Sequence, residues 1–308
     1  MKRIHYKKSY AWYIIGALIL AAAAYIRFGG TGLQEILPYL PIEEWSGGLI
    51  NWLNTTCDPL FVGIVFIIKS LLSPILTVLT SLPPLIIILI LTSVSYLLDG
   101  WRLALFVLSL LLIVVAMGLW PETMITLSLA LTATLISLII GIPVGIVKAR
   151  SNLIKYIIDP ILDFMQTMPL FVYLIPAVLF FSIGNVPGIV ATFIFATPPV
   201  IRLTSLGIEQ LSKEHREVGT SFGASSLQFL WKVELPLAMP SIMMGINQTI
   251  MLSLSMVVVA SMIGAEGLGQ EVLRGIMRLK VGQGIAGGVG IVILAMILDR
   301  MTKRVWKT

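Results

Sequence analysis

Long apolar blocks separated by short polar breaks dominate the pattern of this chain. A helix needs about 20 mostly apolar residues to cross the hydrocarbon core of a bilayer. Eight blocks meet or approach that length: 10–28, 83–98, 101–119, 122–147, 169–183, 187–206, 239–263 and 285–300. The pattern therefore predicts an all-α, polytopic membrane protein of about eight transmembrane helices. Residues 60–82 are apolar too, but Lys69 and Pro74 interrupt them.

Charge placement orients the spans, because cytoplasmic loops collect Lys and Arg. With the N-terminus inside, eight spans leave 1–9, 99–102, 148–168, 202–238 and 299–308 in the cytoplasm, and these hold 16 of the 21 basic residues. The external stretch 29–59 carries Glu35, Glu43, Glu44 and Asp58 and no Lys or Arg. A ninth span at 60–82 would put the later basic loops outside, so that segment is expected to lie along the interface as an amphipathic helix. Two regions result. Residues 1–82 form an N-terminal transmembrane helix, an external segment and the interfacial helix. Residues 83–303 form the main transmembrane domain, with a long cytoplasmic loop at 207–236. Both termini are expected to be cytoplasmic.

Composition agrees with this picture. Of 308 residues 57% are apolar and 12% charged, and the mean hydropathy is +0.99; soluble domains carry about 25% charged residues. The net charge of +6 comes from short basic clusters between spans, which reads as membrane orientation rather than nucleic-acid binding. Cys57 is the one cysteine, so no internal disulfide or cysteine metal cluster is expected. No A-x-A-like site follows the first block, so it is expected to be a retained helix.

The spans hold almost no ionisable groups; Glu122, Arg202 and Asp299 lie at their predicted ends. Intramembrane charges are kept for function in coupled carriers, so their scarcity argues against a gradient-driven carrier. A secondary transporter with a carbonyl-lined sodium site, or a membrane scaffold without transport, stays open as an alternative. No H-E-x-x-H, G-x-S-x-G or phosphate-binding G-x-x-x-x-G-K-[ST] occurs. No catalytic residue, metal ligand or cofactor site is expected in this chain, and any ATP-driven work needs another polypeptide to bind the nucleotide. Asp159 and Asp163 share a helical face and read as the wet side of an interfacial helix.

Within 207–236 a polar helical stretch is followed by Gly219 and Gly223, which permit sharp turns. A second short helix carries Phe222, Phe229, Leu230 and Val233 at helical spacing, before Pro236 and Pro240. Such an apolar stripe facing cytosol calls for a covering partner. Gly141-x-x-x-Gly145 and Gly284-x-x-x-Gly288 allow close helix approach, either within the chain or across a dimer. Asn247, Gln248 and Ser255 fall in one span; they either hydrogen-bond between helices or line a path.

The spacing Glu217-Val218-Gly219, three residues, Gly223, nine residues, Val233-x-Leu235-Pro236 resembles the coupling loop of bacterial ABC importer permeases. Val218 and Gly219 stand where that family has two alanines. Segments 163–176, 184–204, 245–276 and 287–300 resemble the glycine betaine/proline-type osmoprotectant permeases, and the likeness covers about 120–303. Ala265-Glu266 departs from it, since relatives often have a small residue in place of the Glu. The resemblance implies a type I ABC importer permease fold in which Glu217, Gly219, Phe222, Gly223, Leu235 and Pro236 dock on an ATPase. It implies two permease copies around one path, two ATP-binding subunits carrying ATP and Mg, and a substrate-binding protein outside. With the sequence ending at Thr308, that receptor is expected to be a separate chain. Glycine betaine, proline betaine, choline, carnitine and proline are the solutes it implies.

Overall fold

A computed structural model describes residues 16–22, 25, 41–211 and 225–305. Among these the secondary structure is helical throughout, with no strand. Residues 1–58 and 59–308 form two compact units.

In the first unit, residues 16–22 are helical, while most of the span expected at 10–28 lies outside the described residues. Helix α1 (Ile42–Thr56) follows. Trp45, Leu49 and Trp52 recur at helical spacing on its exposed side, a pattern suited to a bilayer interface.

Besides the single turn Ser226–Phe229, the second unit contains nine described α-helices. These are α2 (Asp58–Ser81), α3 (Pro84–Ala116), α4 (Trp120–Arg150), α5 (Asn152–Thr167), α6 (Leu174–Phe181), α7 (Asn185–Glu209), α8 (Leu235–Ala260), α9 (Leu268–Met277) and α10 (Val281–Val305). Six of the helical stretches are long and apolar enough to cross a membrane, or seven if the bent α5–α6 pair counts as one.

The expected spans map onto these with three differences. Residues 83–98 and 101–119 join in α3, whose backbone leaves helical geometry at Asp99 and Gly100. Gly100, at φ +73°, supplies the conformation that side chains disfavour. The expected span 169–183 is shorter: a 3₁₀ turn, Leu170–Tyr173, leads into the 8-residue α6, and the pair bends 110° from α5. Met168 is extended before Pro169, and Ser182 (φ +65°) and Gly184 (φ +130°) stop the helix. Third, the segment expected along the interface, 60–82, lies in α2, a 24-residue helix that by length and composition could cross. Its two buried residues, Ile68 and Leu72, pack against Leu129, Ala133, Ile189, Val257, Ala260 and Ala265. All of these partners lie in the half of the bundle remote from Arg150.

The core sits where α7 packs between α4 and α8. Small residues set the separation. A Cβ on Gly141 would lie 2.5 Å from Val200, one on Gly145 2.9 Å from the Ile201 carbonyl oxygen, and one on Gly245 3.0 Å from the Val200 Cα. Both glycines of the first small-residue pair are thus spent on intrachain packing. In the second pair Gly284 packs near Gly275, while a Cβ on Gly288 would meet open space. Many of the buried hydroxyls find partners, as polar groups in lipid should, although those of Thr92, Thr204 and Thr249 have none. Ser128, Thr132 and Thr192 donate to carbonyls one turn back, and Thr134 and Ser253 meet across α4 and α8 at 3.3 Å.

Candidate functional site: the charged end of the bundle

At one end of the bundle, the chain re-enters α8 through a short structured lead. Ser225 and Gln228 form a capping box: the Gln228 backbone N–H donates to Ser225 Oγ and the Ser225 N–H to Gln228 Oε1. This satisfies two donors that a helix start leaves free. One α-turn (Ser226–Phe229) passes into a π-helical turn (Leu230–Glu234) and then directly into α8. Pro236 follows two residues after that turn and cannot donate to the ladder, a point where irregular helix is tolerated.

The faces of this lead are distinct. Leu230 and Leu235 are buried with Ile208, Ala238 and Ile242, so Leu230 of the expected stripe turns inward. Leu227 and Trp231, one turn apart, are 66% and 67% exposed. They are the apolar face left uncovered, together with the exposed Pro236.

Ion pairs brace this end. Glu234, with only 5% of its side chain exposed, accepts from Arg150 Nη2 at 2.5 Å and Nε at 3.2 Å. The same Nη2 donates to the Ser226 carbonyl oxygen at 3.2 Å. Helix α5 is pinned on both sides: Lys148 meets Asp159 at 2.7 Å, Lys155 meets Glu209 at 2.7 Å, and Arg202 meets Asp163 at 2.5 Å. Asp159 and Asp163 are therefore structural ion-pair partners. The hydrogen bond to Glu209 holds the Lys155 ammonium above its ordinary value.

Of the sequence-predicted site residues, Glu217, Gly219, Phe222 and Gly223 lie outside the described residues. Leu235 anchors the lead and Pro236 is exposed beside it. Asn247 donates to Asp299 Oδ1 at 3.0 Å, and Lys303 donates to the same carboxylate at 2.8 Å; Asn247 thus serves an interhelical bond. Gln248 and Ser255 lie exposed on α8, and Ser255 also donates to the Met251 carbonyl oxygen. Sequence reasoning missed Arg150, Glu234, Leu227 and Trp231. The available signal was Glu234 itself, the one carboxylate between 218 and 265, placed just before a span.

The opposite end is built differently. The Gly184 N–H donates to the Ile263 carbonyl oxygen at 2.9 Å, and the Leu268 N–H to Thr126 Oγ1 at 2.8 Å. Glu266 is clipped to Asn185 twice, through its backbone N–H at 2.9 Å and its carboxylate at 3.2 Å.

The multi-pass helical fold that carries this site is one already seen in solved structures. Two inward-facing structures of the MetNI methionine ABC transporter share the fold, at TM-scores of 0.56 and 0.57 and 21% and 22% identity; they cover 59% and 61% of this chain and 92% and 94% of theirs. The chain belongs to the binding-protein-dependent transport system inner membrane component family, whose model matches residues 141–305. It is a multi-pass transport permease. It is 49% identical over 266 residues to the glycine betaine/proline betaine transport system permease protein ProW of Escherichia coli, covering 86% of this chain and 75% of that one. It is 42% identical over 272 residues to the glycine betaine permease OpuAB of Bacillus subtilis, covering 88% and 96%. The glycine betaine/carnitine permease GbuB of Listeria monocytogenes is 46% identical over 271 residues, covering 87% and 96%.

Proposed function

We propose that this permease carries glycine betaine and related solutes, among them proline betaine, carnitine, choline and proline, into a bacterial cell through its plasma membrane. Two copies line one path. A separate ATP-binding subunit, holding ATP and Mg, docks on the 207–236 loop, and a separate receptor delivers solute from outside. Both termini face the cytoplasm. The observation that carries this reading is the exposed pair Leu227 and Trp231 on a lead continuous with α8. An apolar face outside the bilayer needs a protein partner, and its attachment to a spanning helix gives that partner mechanical purchase on the path. Closure of the ATPase dimer would draw the two leads together and swing α8, and hydrolysis would release it.

The test is uptake of labelled glycine betaine into proteoliposomes holding the permease, its ATPase and its receptor. ATP-dependent uptake that survives collapse of ion gradients supports the proposal. Uptake that ignores ATP and vanishes with a gradient would establish a secondary transporter instead, and no flux at all would leave a scaffold.

A further inference from the structure

We infer that Arg150 and Glu234 are positioning residues that lock α4 to the lead of α8, so that both helices move as one piece when the ATPase closes. The inference rests on the proposed importer function. Three observations carry it.

The first is connectivity. Arg150 ends α4 and reaches 84 residues along the chain to Glu234, and its Nη2 also holds the Ser226 carbonyl oxygen. One guanidinium thus grips both ends of the lead, where a lysine would lack the planar fork that makes two directed bonds. The second is enclosure. This is the most enclosed of the described ion pairs, with 32% of the Arg150 side chain and 5% of that of Glu234 exposed. The pairs that pin α5 each include a side chain at least 38% exposed, where solvent weakens the link. The third is position. Glu234 closes the π-helical turn, a local irregularity often found at functional sites. Without the lock, a pull on Leu227 and Trp231 could be absorbed by bending at that turn. With it, the pull reaches α4 as well as α8, and through Gly141 and Gly145 it reaches α7.

The test compares R150E, E234R and the swapped double variant R150E/E234R in proteoliposomes with the ATPase and receptor. The readout is labelled glycine betaine taken up per ATP hydrolysed by assembled complex. Each single reversal is expected to lower that ratio at least 10-fold, and the swap to recover it to within about 3-fold of the unaltered complex. E234Q keeps the shape, removes the charge and covers the case in which the reversals fail to accumulate; it is expected to lower the ratio about 3-fold. Single variants that lose assembled complex or melting temperature while keeping the ratio would overturn the lock and leave a purely structural pair. So would a swap that recovers melting temperature but not the ratio, or an E234Q complex with unchanged coupling. Failure of the unaltered complex to take up solute with ATP would instead sink the importer function, and the lock with it.

Discussion

The two ends of the bundle are held together by different chemistry. At the Arg150 end, long charged side chains bridge elements far apart in sequence. At the Gly267 end, backbone groups and short side chains join the distant segments: Leu268 N–H on Thr126, Gly184 N–H on Ile263, Glu266 on Asn185, and Gly188 close against Ala265 and Ala260, while the Glu271–Arg274 ion pair stays within one helix. Backbone contacts fix a shape and leave little play. Side-chain bridges can hold several helices in concert while tolerating small shifts. The difference suits the proposed importer, in which the Gly267 end would keep its form while the Arg150 end receives force.

The contrast can be broken most severely between the ends, in the core that joins them. Gly145→Leu puts a branched side chain where even a Cβ lies 2.7 Å from that of Thr204 and 2.9 Å from the Ile201 carbonyl oxygen. Backbone cannot yield as a side-chain tip can, so the cost exceeds the 1–3 kcal/mol of ordinary overpacking, at roughly 4 kcal/mol. The variant should fail to accumulate in membranes, as read by quantitative immunoblot and thermal aggregation.

Arg150→Ala comes next. It leaves the Glu234 carboxylate enclosed without its cation, at about 3 kcal/mol, partly relieved because Arg150 is one-third exposed. The melting temperature should fall by several degrees, and Arg150→Ala/Glu234→Leu should recover most of it.

At the other end, Gly267→Ala combines φ +105° with a Cβ 2.4 Å from Thr126 Oγ1, for about 2 kcal/mol. Its hydrogen exchange should rise locally at 264–270 while the Arg150 end stays protected.

Lys155→Ala is the smallest, since its pair with Glu209 is 42% and 30% exposed; the loss should be about 0.5 kcal/mol. Because the folded Lys155 holds its proton more tightly than the ordinary 10.5, its contribution is complete below that pH. It disappears only as pH rises through the higher folded value. Wild type and variant should therefore converge in melting temperature above pH 10.5 and differ by a constant amount at neutral pH.

How much of this was legible beforehand varied with the range of the interaction. Helices α4, α7, α8 and α10 were plain because a span writes itself locally as an apolar run. The break at Asp99 and Gly100 was equally local. The shortening of α6 was not, since a serine, not a glycine, takes the positive φ at 182. The capping box at Ser225 and Gln228 was written in the S-x-x-Q spacing. The bridges from Arg150 and α5 were invisible: each joins residues that only the fold brings together. Leu227 and Trp231 carry the same apolar signal as Leu230, and the tertiary contacts of Leu230 decide which of them stays uncovered.

The direct test of the account is a single cysteine at Leu227 in a Cys57→Ser background. In the assembled complex it should cross-link to the ATP-binding subunit through a short bifunctional thiol reagent, and in intact cells it should resist a membrane-impermeant maleimide. Labelling from outside the cell, or a complex that transports solute with that cysteine free of any ATPase contact, would contradict it.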